Sequence, residues 1–238
     1  MTTFILIPGA MHGSWTWDRV VPPLEAAGHR AIAPDLPGMC GNESIAPQDV
    51  TLSLWGQFVA DLVRAVEPPV ILVAHSRGGI VIGDAAERVP ECVAGLIYLV
   101  ALIAPPGLTG RQASGVEQDS DVRIPAVVDP VPPDIAIPMF YHRCSPEDAA
   151  WAASRLCPEP MRPLETPANV TWERWGRIPR AFIACSDDQV LTPERQHRIL
   201  AAAPCDPVVT LDSDHSPFLA MPEKLAEAIL EIAERFVK

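Results

Sequence analysis

A chain of 238 residues with a formal net charge of −12 has room for one α/β domain, a full apolar core and a small insertion. Its 48% apolar and 20% charged residues exclude a disordered chain. The negative balance excludes nucleic acid and anionic membrane as expected partners, since both attract positive charge, and leaves small neutral or cationic molecules open. No run approaches the ~20 apolar residues of a bilayer span, and residues 1–8 lack the basic start and long apolar stretch of a signal peptide. The expectation is therefore a soluble, cytoplasmic protein. The six cysteines, Cys40, Cys92, Cys144, Cys157, Cys185 and Cys205, are irregularly spaced without a CxxC pair, so no metal or dithiol site is expected. Cys92 and Cys185 lie in or beside apolar runs and read as core residues. A bond between Cys144 and Cys157, which share one region, stays open.

Short apolar runs alternate with helical patterns along the chain. A strand at 4–7 ends at Pro8-Gly9, and a helix over 15–27 stops at Gly28. A strand at 31–33 closes on Pro34-Asp35. The next helix, 52–66, places Leu54, Trp55, Phe58, Val59, Leu62, Val63 and Val66 at helical spacing. A strand at 70–74 runs into a helix at 78–87, and a strand follows at 95–100. After a gap come a strand at 180–185, a helix at 193–203, a strand at 208–211 and a helix at 222–237; both helices open with Pro. Continuous apolar strands suit parallel pairing with both faces covered, and the alternation predicts an open, mostly parallel sheet flanked by helices. From about 105 to 179 no strand pattern is legible and prolines are dense. A structureless loop of that length is unusual, and this segment keeps Met139, Phe140, Tyr141, Trp151, Trp172 and Trp175, with a helix over 146–156 starting at Ser145. The expected organisation is a core of 1–104 and 178–238 with an inserted cap, 105–177.

The strand at 70–74 leads directly into Ala74-His75-Ser76-Arg77-Gly78 and then a helix. A Ser on such a tight strand-to-helix turn is a nucleophile elbow, which needs small residues two before and two after it. Gly78 meets that need, and Ala74 adds one methyl. A serine hydroxyl requires a base and an acid that orients the base, in the chain order Ser, acid, His. His215 follows the last strand; His29, His142 and His197 are poorly placed. Asp188 follows the preceding strand and is favoured over its neighbour Asp187, and over Asp212 and Asp214, which flank His215 in sequence. The oxyanion hole needs two backbone N–H donors. Arg77 supplies the first and Ala10, in the glycine-rich turn after the first strand, the second. His12 either holds this turn or edges the pocket. The Arg77 side chain either contacts substrate or anchors to a nearby carboxylate. Met11, His12, Phe140 and Trp151 are the candidate pocket residues.

The stretch FILIPGAMHGSWTW (4–17), the turn APDLPG (33–38), the elbow and DHSPF (214–218) together resemble one branch of the α/β-hydrolase superfamily. That branch holds plant methyl-ester esterases, plant hydroxynitrile lyases and small bacterial esterases. The resemblance covers about 1–104 and 178–238. It implies an α/β-hydrolase fold of six parallel strands, a pocket between core and cap, and a triad of Ser76, Asp188 and His215. The lyases carry Thr where this chain has Gly9 and Lys where it has Ser216, so hydrolysis is the better reading. The expected activity is that of a serine esterase acting on a small, hydrophobic carboxylic ester through an acyl-enzyme, without metal or organic cofactor. The rivals are a lyase-like or other cofactor-free reaction and a non-catalytic ligand receptor. The sequence sets no oligomeric state and leaves a homodimer open.

Overall fold

The computed structural model describes residues 1–115 and 124–237. Its strands are β1 (Thr3–Ile7), β2 (Arg30–Ile32), β3 (Val70–His75), β4 (Val93–Leu99), β5 (Val127–Val128), β6 (Glu159–Pro160), β7 (Arg180–Cys185) and β8 (Val208–Leu211). Its α-helices are α1 (Val21–Ala26), α2 (Leu52–Arg64), α3 (Gly78–Arg88), α4 (Gly110–Ala113), α5 (Pro133–Phe140), α6 (Pro146–Ala153), α7 (Arg162–Glu165), α8 (Pro193–Ala202), α9 (Pro217–Ala220) and α10 (Pro222–Phe236). Six strands form one sheet in the order β2-β1-β3-β4-β7-β8, and every adjacent pair is parallel. This is the open parallel sheet that the strand and helix alternation predicts, and the α/β-hydrolase architecture that the resemblance implies.

Alternate residues of each strand feed opposite cores, as the two-residue period of a strand requires. Phe4, Leu6, Ile71, Val73, Ile97, Leu99, Ala181 and Ile183 face one side. Ile5, Ile7, Leu72, Ala74, Leu96, Tyr98 and Phe182 face the other. Helices α2 and α3 cover the second face with Trp55, Val59, Val63, Val81, Ile82 and Ala85. Helix α10 covers the first with Leu225, Ile229 and Ile232; each such burial is worth about 1.5–3 kcal/mol. Thr51 caps α2 by accepting the Leu54 N–H at 3.1 Å, satisfying one of the helix's unpaired donors. Helices α5 and α6, between β4 and β7, pack Ala136, Phe140, Ala149 and Ala152 onto the first face.

Two expectations are corrected, and the open pairing of the cysteines is answered. The helix expected over 15–27 is two pieces, a 3₁₀ turn at Ser14–Trp17 and α1. Pro22 and Pro23 explain the break: proline fits only in a helix's first turn, so the helix restarts there. The segment expected to lack strands contains the short antiparallel pair β5–β6. Cys157 bonds to Cys40, and Cys144 is free. That disulfide closes a 117-residue separation, for which loop-closure entropy gives about 4–5 kcal/mol. Reduction is therefore expected to lower the urea midpoint; an unchanged midpoint would show that the bond contributes nothing to stability. Disulfides persist mainly in oxidising compartments, so this one lends no support to a cytoplasmic location. Among the described residues no helix is long and apolar enough to cross a membrane.

Candidate active site

Ser76, Asp188 and His215 lie just beyond the carboxyl ends of β3, β7 and β8, where open α/β sheets place their ligands. Ser76 sits at φ 51°, a left-handed conformation that costs energy for any residue with a Cβ. Its neighbours impose that conformation. Its N–H donates to the Leu99 carbonyl at 3.1 Å, and its own carbonyl accepts the Leu102 N–H at 2.9 Å. At Gly78 a Cβ would stand 2.7 Å from the Pro8 carbonyl oxygen and 2.9 Å from that of Ile7, so only glycine lets α3 start this close to β1. Ala74 is fully buried in the sheet, and its single methyl packs among the side chains of that face.

The three side chains form a hydrogen-bonded chain. Asp188 Oδ2 lies 2.6 Å from His215 Nδ1, and a carboxylate only accepts, so Nδ1 carries the proton. His215 Nε2 is then free to accept from the Ser76 hydroxyl at 3.0 Å. Asp188 Oδ1 accepts the N–H groups of Val190 and Leu191 at 2.7 and 2.9 Å. The rival carboxylates face elsewhere. Asp187 binds Arg143 and His142 at the surface, Asp212 binds Arg143 and Ser186, and Asp214 accepts the N–H groups of Arg143 and Ser216. His75 donates through Nε2 to the His215 carbonyl at 2.9 Å. Burial, then the proximity of His215 and His12, holds its pKa well below the usual imidazole value.

The turn after β1 is held from several sides. His12 Nδ1 donates to the Ala10 carbonyl at 2.6 Å, and its Nε2 accepts from the Tyr141 hydroxyl at 2.7 Å. Burial lowers the His12 pKa to about 3, so this ring stays neutral at ordinary pH and acts as a brace. The Arg77 side chain is buried. Its Nε donates to Glu159 at 2.9 Å, its Nη2 to the Gly9 carbonyl at 2.8 Å, and its guanidinium stacks 4.3 Å from the Trp55 ring centre. Glu159 also accepts the Met11 N–H at 2.7 Å. Burial pushes the Glu159 carboxyl upward, opposed by Arg77 and that N–H. The backbone N–H groups of Ala10 and Arg77 find no acceptor among the described residues. Both residues line, with Ser76, a cavity of about 280 Å³ whose apolar wall is Leu102, Leu164, Val190 and Leu191.

The structure places the other candidates away from that wall. Phe140 packs edge-on against His12 at 5.6 Å and lies 5.9 Å from the His215 ring. Trp151 meets Trp15 edge-on at 5.3 Å, with Arg155 over its face. Met11 and His12 serve the turn itself. None of these four lines the cavity beside Ser76; Phe140 is buried in the core beside His12 and His215. A larger cavity, about 470 Å³, lies by the disulfide and does not reach Ser76. Glu159 and Tyr141 were not legible as site residues. Each partners its histidine or arginine across more than 80 residues, and only the need of a buried Arg77 for a counter-charge hinted at the first.

Residues 4–228 match the pattern of the Alpha/beta hydrolase family, and the chain belongs to that family. It is similar to salicylic acid-binding protein 2 of Nicotiana tabacum, with 30% identity over 98% of this chain and 97% of that protein. It is also similar to a pyrethroid hydrolase of Sphingobium wenxiniae, with 32% identity over 98% of this chain and 88% of the relative. Among solved structures, a methylesterase from Arabidopsis superposes with a TM-score of 0.86 at 26% identity, covering 99% of this chain and 100% of that one.

Proposed function

We propose that this chain is a serine carboxylesterase that hydrolyses a small, hydrophobic ester through an acyl-enzyme. The observation that carries this reading is the hydrogen-bonded chain from Ser76 through His215 to Asp188, with two N–H groups lacking acceptors on the same cavity wall. The methylesterase and the pyrethroid hydrolase to which the chain is similar agree with it.

In this mechanism Ser76 Oγ attacks the ester carbonyl while His215 Nε2 takes its proton. The carbonyl oxygen becomes an oxyanion and receives the N–H groups of Ala10 and Arg77. His215 then protonates the departing alcohol, leaving an acyl group on Ser76. Water, deprotonated by the same imidazole, attacks the acyl carbon, and the acid departs as Ser76 regains its proton. Asp188 keeps Nδ1 protonated and supports the imidazolium formed in both halves. The apolar wall of Leu102, Leu164, Val190 and Leu191 favours an alkyl or aromatic group, and Gly110, Arg111, Ser114 and Leu164 are the part of the 105–177 segment that caps it. A lyase-like reaction with a hydroxyl side chain at position 9 has no room here, since a Cβ on Gly9 would stand 2.6 Å from His75 Nδ1.

The test is a fluorophosphonate probe combined with a panel of esters of varied acyl and alcohol size. The expected result is a mass increase on the peptide bearing Ser76, with hydrolysis lost in proportion to labelling. An unlabelled Ser76 would return the chain to the receptor reading, and labelling without turnover of any ester would sink the esterase assignment.

A further inference from the structure

We infer that the buried pair of Arg77 and Glu159 positions the oxyanion hole, with the Arg77 side chain aiming the Ala10 N–H and Glu159 holding Arg77 in place. This rests on the esterase reading above. A peptide unit is planar and trans, so its C=O and N–H point in opposite directions. The Gly9 carbonyl and the Ala10 N–H belong to one such unit. Arg77 Nη2 donates to that carbonyl at 2.8 Å, and so directs the Ala10 N–H away from itself. Arg77 therefore contributes twice. Its backbone supplies one donor, and its side chain orients the peptide that supplies the other.

Glu159 completes the arrangement. One carboxylate oxygen accepts Arg77 Nε–H at 2.9 Å, and the other accepts the Met11 N–H at 2.7 Å. The residues on either side of Ala10 are thus tied to a single buried ion pair. Met11 lies at φ 61°, a conformation that needs such external support. The Cys157 N–H adds to it by donating to the Met11 carbonyl at 3.0 Å. The pair reaches from β6 to the elbow with both side chains almost wholly excluded from water, at 2% and 1% exposure. A buried pair of this kind is no guarantee of stability, because desolvation of the charges offsets their attraction. Its geometry toward one peptide unit gives it a function in aiming that unit.

Two variants test the inference, measured per active site after titration with a fluorophosphonate. Arg77→Lys keeps the charge opposite Glu159, but a single ammonium cannot reproduce the fork that reaches both Glu159 and the Gly9 carbonyl. R77M/E159Q removes both charges at similar volume, avoiding the unpaired buried charge that a single neutralisation leaves, and the substituted amide can still accept the Met11 N–H. In both, kcat for p-nitrophenyl acetate is expected to fall about 10²-fold while KM changes little, the cost of misplacing a group by about 1 Å. Affinity for a trifluoromethyl ketone, which forms the tetrahedral adduct, should fall in parallel, while affinity for the product acid should hold. A merely structural role would lower the melting temperature and the fraction of active sites without moving kcat per site. Turnover and ketone affinity within about twofold of the unsubstituted protein in both variants would overturn the inference. If the unsubstituted protein itself showed no Ser76-dependent turnover, the esterase reading would fall and this inference with it.

Discussion

Ester turnover by the Ser76→Ala variant is expected to fall about 10⁶-fold in kcat, with KM little changed. The size follows from what the hydroxyl does. It is the group 3.0 Å from His215 Nε2, and no substitute stands ready. Ser114, on the same cavity wall, is engaged with the Arg111 carbonyl at 2.7 Å. Ser216 is buried, and its hydroxyl has no partner among the described residues. His215→Ala should lose about as much, and the double variant little more, because serine and base act as one unit and their losses do not add. Some rate above that of water, about 10³-fold, should survive in all three, since the N–H groups of Ala10 and Arg77 would still bind the oxyanion. The fold should not suffer, because the backbone bonds from Ser76 to Leu99 and Leu102 do not involve its side chain. The check is steady-state hydrolysis of p-nitrophenyl acetate by the three purified variants. Turnover at unsubstituted rates in any of them would remove Ser76 or His215 from the mechanism, and a double loss equal to the product of the singles would show that they act separately.

The parts of the fold that were legible in the sequence are those where local pattern and tertiary role coincide. The strand at 180–185 is a continuous apolar run buried on both faces as β7, whereas 208–211 is the edge strand β8, with Val208 and Thr210 exposed. Helices α8 and α10 begin at their prolines as expected. The elbow was legible because its steric demand falls on a position fixed relative to the serine: Gly78, two residues on, must clear the carbonyls of Ile7 and Pro8 on β1 and its end. The cavity was not. Its apolar wall is assembled from Leu102, Leu164 and the pair Val190-Leu191, three separate stretches of the chain whose residues look like any other leucine or valine. The aromatic residues singled out instead, Phe140 and Trp151, are large because they fill the space behind His12 and around Trp15. The partners of Cys157 and of Arg77 were likewise set by long-range packing. A disulfide requires Cα atoms within about 7 Å, and nothing in the local sequence says that Cys40 rather than Cys144 meets that condition.

Asp188→Asn should lower kcat about 10⁴-fold at every pH while leaving the fold intact. Asp188 uses its two oxygens for different tasks. Oδ1 accepts the Val190 and Leu191 N–H groups at 2.7 and 2.9 Å, and Oδ2 accepts His215 Nδ1–H at 2.6 Å. An asparagine has one acceptor oxygen. Two backbone donors compete against one imidazole for it, and the substituted amide satisfies more partners by keeping its oxygen on the backbone side. Its NH₂ then faces His215 and forces Nδ1 to become the acceptor. The proton moves to Nε2, and an imidazole protonated there cannot accept from the Ser76 hydroxyl. The loss is thus one of tautomer. It differs from a loss of charge alone, which would leave the orientation of the ring unaffected. The matching control is Asp187→Asn. Asp187 faces solvent and pairs with Arg143 and His142, a surface arrangement that water and salt screen, so activity should stay within about threefold of the unsubstituted protein. Parallel pH–rate profiles of the two variants, with melting temperatures to verify folding, separate the cases. A silent Asp188→Asn beside an inactive Asp187→Asn would transfer the role to the neighbour. Equal moderate losses in both would mean that the acid acts through the field of the whole loop and not through one hydrogen bond to His215.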